Sequence, residues 1–316
     1  MKDLQKYIYA SLAIIATLIF GCKQDKQLTP GEGYIEVTGG KVWYRIVGEG
    51  DKTPLLLLHG GPAFTSYYLN PMAELGKDRP VIFLDQLGCG RSDKHSDTTL
   101  MTVEAHVEQV EQVRKELGLD AFYLYGHSWG TMLGVDYYLK YPEHVKAMIL
   151  ASPALSVSRW SQDAEVLIAS LPDSIQSAIN TSIETGVFDT PEFEQAMHHF
   201  YEQFVIRKLP WDANIDSTFG GANLEIYNYM WGPSEFTATG TLVDYERGDA
   251  LAGIQVPTLY VCGEFDEARP ATVEYFKGLT PGAQLAVIEN AAHITMHDNP
   301  QRNNQVIREF LQELEK

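Results

Sequence analysis

Ser128 sits at the centre of Gly126-His127-Ser128-Trp129-Gly130, between the apolar run Ala121-Phe122-Tyr123-Leu124-Tyr125 and the helix-like stretch Thr131 to Tyr141. A G-x-S-x-G in that setting is a nucleophile elbow. Glycines admit the close backbone approach of a sharp strand-to-helix turn, which leaves the serine hydroxyl exposed above the sheet. The bare pattern is common in a chain with 26 Gly, so the strand and helix on either side carry the weight. A serine hydroxyl is a poor nucleophile until a base takes its proton and a third group orients that base. Two later segments supply candidates: Gly263-Glu264-Phe265-Asp266-Glu267 after the apolar run 257–262, and Glu289-Asn290-Ala291-Ala292-His293 after Gln284 to Ile288. Asp266 is preferred to Glu264 as the acid. His293 is preferred to His297, which lies in the following polar turn, as the base.

Acyl transfer also needs donors for a developing oxyanion. His59-Gly60-Gly61-Pro62 ends the strand-like run Pro54 to Leu58, and its glycines let backbone amides face the elbow. The expected pair is the N–H of Gly61 with that of Trp129. An ordinary strand-ending turn is the simpler alternative for this segment.

The elements that must position these residues follow from hydrophobic patterning. Residues 34 to 47 alternate around Gly39-Gly40, as an antiparallel hairpin would. Short apolar runs follow at Pro54 to Leu58, Val81 to Leu84, Phe122 to Tyr125 and Ala147 to Leu150, with helical stretches at 102–117 and 131–141. Runs without alternation suit parallel strands covered on both faces, and the repeat implies right-handed crossovers. From about Ser156 to Arg247 the rhythm breaks into helices separated by prolines; it resumes with a strand over 256–262, a helix near 270–278, the strand Gln284 to Ile288 and a last helix from about Pro300. The expected class is α/β, a mostly parallel doubly wound sheet with an inserted helical lid. Its domain plan is a core over 34–155, a cap over 156–247 and the rest of the core over 248–316. Ligands of open α/β sheets bind at the carboxyl ends of the strands, so the insertion is placed over the serine. The order Ser, Asp, His is that of the α/β-hydrolase fold.

Other groups point to no additional chemistry. His127 is expected to pack beneath the elbow rather than titrate. His198 and His199 have no third ligand at a metal-binding spacing, and Gly88-Cys89-Gly90 lacks the third glycine of a dinucleotide fingerprint, so neither metal nor cofactor is expected. Cys89 and Cys262 are expected to be buried thiols rather than a disulfide. A formal charge of −18 without a basic stripe disfavours nucleic acid as a partner. Nothing in the sequence indicates an oligomeric state.

The first residues carry a different message. Lys2 and Lys6 precede an apolar stretch from Ile8 to Phe20, too short to span a bilayer comfortably. Residues 1–21 are therefore a signal peptide, and Ile19-Phe20-Gly21-Cys22 resembles the lipobox of bacterial lipoproteins. That resemblance implies export, lipidation of Cys22, and attachment to a cell membrane through the acyl chains alone, with 22–33 as a tether. An ordinary secreted protein and an uncleaved anchor are the alternatives.

Several segments together resemble the proline iminopeptidases, a family of α/β-hydrolases. They are His59 to Pro62, Asp85-Gln86-Leu87-Gly88-Cys89-Gly90-Arg91-Ser92, the elbow, Met230-Trp231-Gly232-Pro233-Ser234-Glu235-Phe236, Gly263 to Glu267, and His293-Ile294-Thr295-Met296. The resemblance covers roughly residues 33 to 316. It departs at Ala63 and Thr131, where the family usually has glycine. It implies a serine aminopeptidase that releases N-terminal proline, and sometimes other small or apolar residues, from short peptides with a free N-terminus, with Glu235 and Glu267 holding the substrate ammonium. A buried carboxylate favours a cationic amine and penalises a blocked one. An exposed lid position for Glu235, and a surface pairing of Glu267 with Arg269, remain open alternatives. Tyr229 and Trp231 are candidates to wall the proline pocket, or else lid core. A carboxylesterase or lactonase is the nearest rival activity, because triad and oxyanion hole serve any acyl transfer. A catalytically silent binding protein is the rival of another class.

Overall fold

Gly39 takes φ 100°, a conformation costly for other residues, and the chain turns there between two paired strands, β1 (Gly31–Val37) and β2 (Gly40–Val47). The structure, a computed structural model, describes residues 28–316. The expected signal segment, Cys22 and the first part of the expected tether lie outside the described residues. The expected tether is also too long by three residues, since Gly31, Glu32 and Gly33 pair with Ile46, Arg45 and Tyr44. Gly33 is not a linker glycine. A Cβ there would lie 3.2 Å from the Tyr44 ring, so its bareness makes room for an aromatic neighbour.

Six further strands follow: β3 (Leu55–Leu58), β4 (Val81–Asp85), β5 (Phe122–His127), β6 (Val145–Ala151), β7 (Thr258–Gly263) and β8 (Gln284–Ile288). The sheet order is β1-β2-β4-β3-β5-β6-β7-β8, antiparallel through β2–β4 and parallel from there on. Leu55 to Leu58 show why the inner strands carry no alternation. Leu56 and Leu58 enter the core on one face of the sheet and Leu55 and Leu57 the core on the other.

Helices α1 (Val103–Leu117) and α2 (Trp129–Lys140) supply Val107, Val110, Met132 and Val135 to the first of these cores. Thr102 caps α1 by accepting from the Ala105 amide, and Gly118 ends it at φ 69°. The opposite face is covered by the 3-10 segment Ser66–Lys77 and the terminal helix Pro300–Glu313.

Between β6 and β7 the chain leaves the sheet for five helices: α3 (Val157–Ile168), α4 (Asp173–Thr185), α5 (Pro191–Phe204), α6 (Ala213–Gly221) and α7 (Leu224–Met230). The two ends of this excursion are stitched together. Ser156 bridges to Glu246, the Val157 amide donates to Tyr245 O and the Arg247 amide to Leu155 O. The cap thus leaves and re-enters the core through one short antiparallel neck.

Because β3 to β8 run parallel, the loops after β3, β4, β5, β6, β7 and β8 gather along one sheet edge. That edge carries His59, Gln86, Ser128, Ser152, Asp266 and His293.

Candidate active site

Ser128 has φ 54° and ψ −123°, a strained conformation for a side-chain-bearing residue, and stands immediately before α2. The strain is held by a tight crossing. A Cβ on Gly126 would lie 2.2 Å from Gly130 O, and one on Gly130 2.2 Å from Leu58 O, so both elbow glycines are required by backbone contact. Thr131, a departure from the family's usual glycine, reinforces the turn. Its hydroxyl donates to Ser128 O at 2.7 Å and accepts from the Ala154 amide at 3.1 Å.

His293 and Asp266 meet as the sequence suggests. His293 Nδ1 donates to Asp266 Oδ1 at 2.8 Å, and both residues are buried. The aspartate is held by three further donors: the Ser152 hydroxyl at 2.6 Å and the amides of Gly263 and Ala268 at 3.1 and 2.9 Å. The rejected candidates lie elsewhere. Glu264 accepts from the Asn290 amide, and His297 faces Asp212 at 3.4 Å. Ser128 and His293 line one pocket together with Gly60, Gly61, Glu235 and Glu267.

Gly61, at φ 118°, follows β3 and lines that pocket, while Trp129 supplies the first amide of α2, where the helix dipole favours negative charge. Ala63 takes φ 60°, the left-handed conformation that glycine adopts at less cost, so the loop keeps its shape despite the missing glycine. Gln86 ties the two oxyanion segments together. Its Oε1 accepts from Trp129 Nε1 at 2.9 Å, its Nε2 donates to His59 O at 3.0 Å, and its amide donates to His59 Nε2.

His127 is buried beneath the elbow, and burial, then the nearby His293, holds it well below the ordinary imidazole range. As a neutral ring it has one tautomer that satisfies both neighbours. Gly60 N–H donates to Tyr68 Oη, whose hydroxyl donates to His127 Nδ1, and His127 Nε2 donates to His293 O. The chain therefore links the oxyanion loop to the backbone of the base.

Glu267 and Glu235 complete the pocket. Glu267 Oε1 lies 3.6 Å from His293 Nε2 and has no hydrogen-bond partner; burial, then the charges of Glu235 and Asp266, pushes its carboxyl well above the usual range. Burial also raises Glu235, partly offset by His293 and by the hydroxyls of Tyr227 and Tyr201 that face it. Those phenols are themselves raised by burial and by Glu235, and the Tyr227 hydroxyl has no hydrogen-bond partner. Arg269 is not the partner of Glu267: it pairs with Asp163 of α3 at 3.3 Å.

Tyr229 and Trp231 do not wall the pocket. Tyr229 points outward from α7, 41% exposed, and Trp231 turns into the core, donating to Ser234 O and packing edge-on against Trp160. Tyr201 and Phe219 are the cap aromatics that line the pocket, and Trp160, from α3, is a cap aromatic that supports it from behind. Its ring meets that of His293 edge-on at 5.7 Å, and its Nε1 donates to Glu235 O at 2.8 Å. Tyr68, Gln86, Ser152 and Trp160 are the residues that sequence reasoning missed as site supports. Only Gln86 had a signal, its place within Asp85 to Ser92.

Cys89 and Cys262 are buried free thiols. His198 pairs with Glu202 and stacks on Trp211. Among the described residues, no helix is long and apolar enough to cross a membrane.

A serine at a strained strand-to-helix turn, an Asp–His pair from the loops after the last two strands, β7 and β8, and a helical cap define an α/β-hydrolase. The model of the alpha/beta hydrolase fold matches residues 53–300. A proline iminopeptidase of Heyndrickxia coagulans is 44% identical over 284 residues, covering 89% of this chain and 98% of that protein. Two crystal structures are similar: VinJ, at 34% identity and TM-score 0.87 over 90% of this chain and all of that one, and proline iminopeptidase of Mycobacterium smegmatis, at 28% identity and TM-score 0.84 over 90% and 98%. The chain belongs to the proline iminopeptidase family of α/β-hydrolases.

Proposed function

We propose that this protein is a serine aminopeptidase that releases N-terminal proline from short peptides through an acyl-enzyme. Ser128 attacks the carbonyl of the first residue, His293 takes the hydroxyl proton and delivers it to the leaving amine, and Asp266 holds His293 in the required tautomer. The amides of Gly61 and Trp129 stabilise the oxyanion. Water then enters, gives its proton to His293, and releases the amino acid from Ser128.

One observation carries the choice of substrate. Two carboxylates, the buried Glu267 and the half-buried Glu235, share the pocket with Ser128 and His293, and among the described residues neither has a lysine or arginine partner. Uncompensated buried carboxylates are costly, and a substrate ammonium supplies the missing charge. An esterase has no use for them. Wild-type enzyme is expected to cleave prolyl-arylamide with kcat/KM about tenfold or more above that for a short-chain ester. Turnover of the ester without turnover of the amide would sink the assignment.

We propose further that the protein is exported and held on a bacterial membrane by acylation of Cys22. The support is the short apolar segment behind Lys2 and Lys6 and the residues Ile19 to Cys22. A Cys22→Ala variant is expected to leave the membrane fraction of expressing cells for the soluble one. Retention of that variant in membranes would contradict lipidation.

A further inference from the structure

The concave surface does not end at the catalytic pocket. Phe64, Tyr201 and Phe219 wall that pocket, where only about 30 Å³ is free, and the same three side chains wall a neighbouring cleft of about 860 Å³. One side of the cleft is formed by Leu224 and Tyr227, three residues apart and so on one face of α7. Across from them stand Val187 and Phe188, from the loop between α4 and α5. Leu224 is 63% and Val187 45% exposed, apolar surface left in water at the mouth of a site. Clustered apolar exposure in a concavity that shares three wall side chains with the catalytic pocket marks a binding surface.

The connections at its inner end indicate what enters. Tyr227 lies near Glu235 with its buried hydroxyl free of any hydrogen-bond partner, while its ring lies against that of Phe64, at 5.5 Å and nearly parallel. Phe64 is three residues beyond Gly61 in the same loop, and the Ala63 carbonyl accepts from the Asn223 amide just before α7. The cleft therefore begins between the carboxylates and the oxyanion loop. A substrate with its ammonium on Glu235 and Glu267 and its carbonyl at Gly61 must send the chain beyond the scissile bond past Phe64.

We propose that this cleft is the subsite for the residue after the scissile bond, and that it takes an aromatic or large aliphatic side chain there. The proposal rests on the aminopeptidase reading and extends it to the leaving peptide. Asp189, also on the cleft, opposes an acidic second residue.

The test is a series of proline dipeptide amides with Phe, Leu, Gly or Asp second, beside prolinamide, which has no second residue to place. In wild type, kcat/KM for Pro-Phe amide and Pro-Leu amide is expected to exceed that for Pro-Gly amide by about tenfold or more, with Pro-Asp amide below it. In Leu224→Asp combined with Val187→Asp, the Phe-to-Gly ratio is expected to fall to about twofold, from the same burial argument. A flat wild-type series with prolinamide hydrolysed would overturn the cleft assignment. So would an undiminished ratio in a double variant that still hydrolyses prolinamide. Failure of wild type on every member, prolinamide included, would instead contradict the aminopeptidase reading. The wild-type series decides the matter by itself, whether or not the double variant folds.

Discussion

Ser128→Ala is expected to reduce kcat for prolyl-arylamide about 10⁴-fold or more while leaving the fold intact, as loss of the nucleophile does in serine hydrolases of unrelated folds. The substitution removes only the hydroxyl. The strained turn is imposed by the contact of Gly126 with Gly130 and of Gly130 with Leu58 O, and it is tied by Thr131 to Ser128 O, so alanine inherits the same backbone. An unfluctuating thermal transition together with lost turnover and lost fluorophosphonate labelling is the expected pattern. Activity within tenfold of wild type would remove Ser128 from the mechanism.

Glu235→Gln is expected to lower kcat/KM for prolyl-arylamide about thirtyfold or more, because truncating one partner of a buried charge contact costs about 2 to 5 kcal/mol. Hydrolysis of an uncharged ester should change little. The pH profile supplies a second readout with a fixed sign. The charge of Glu235 raises the Glu267 carboxyl, so removing it lets Glu267 ionise at lower pH. The acid limb of kcat/KM for the variant is therefore expected to move to lower pH. A limb that moves upward, or an unchanged kcat/KM, would show that the pair does not act on the substrate amine.

The elements that hold the chemistry were legible because their signals are local. Unbroken apolar runs marked the inner strands, and the glycine pair at 39 and 40 marked the hairpin. The helix following the elbow was visible for the same reason, although it starts at Trp129 rather than Thr131. Where the outcome depends on a distant neighbour, the reading was less complete. Gly31 and Gly33 resemble linker residues until Ile46 and Tyr44 pair with them. The segment Ser66–Lys77 contains Pro71 and is not singled out as an element by the sequence, yet its Tyr68 reaches His127 from 59 positions away in the chain. Glu267 had a plausible local partner in Arg269, and only the packing of α3 against that loop, through Asp163, frees the carboxylate for the pocket.

The cap shows the same limit from another side. Glu235 could be singled out through the resemblance of its segment, but which aromatics stand beside it could not. Tyr229 and Trp231, on either side of Met230, point away from the pocket, whereas Trp160, 75 positions before Glu235, contacts both His293 and Glu235 O. Helical periodicity tells which residues are buried, not which of two buried surfaces they join. The close of α5 illustrates the consequence. Phe204 O accepts from the amides of both Glu267 and His293, and the Ile294 amide donates to Val205 O, so the cap is fastened to the loops that carry Glu267 and His293 together.

The central claim is that a free N-terminal ammonium is read by the two carboxylates beside the nucleophile. It is tested most directly by comparing kcat/KM for prolyl-arylamide with that for its N-acetylated counterpart on the wild-type enzyme. The acetylated substrate is expected to be cleaved about thirtyfold less efficiently or worse, since it lacks the charge that would face the two carboxylates and leaves them without a cation. Equal cleavage of the two would contradict the account.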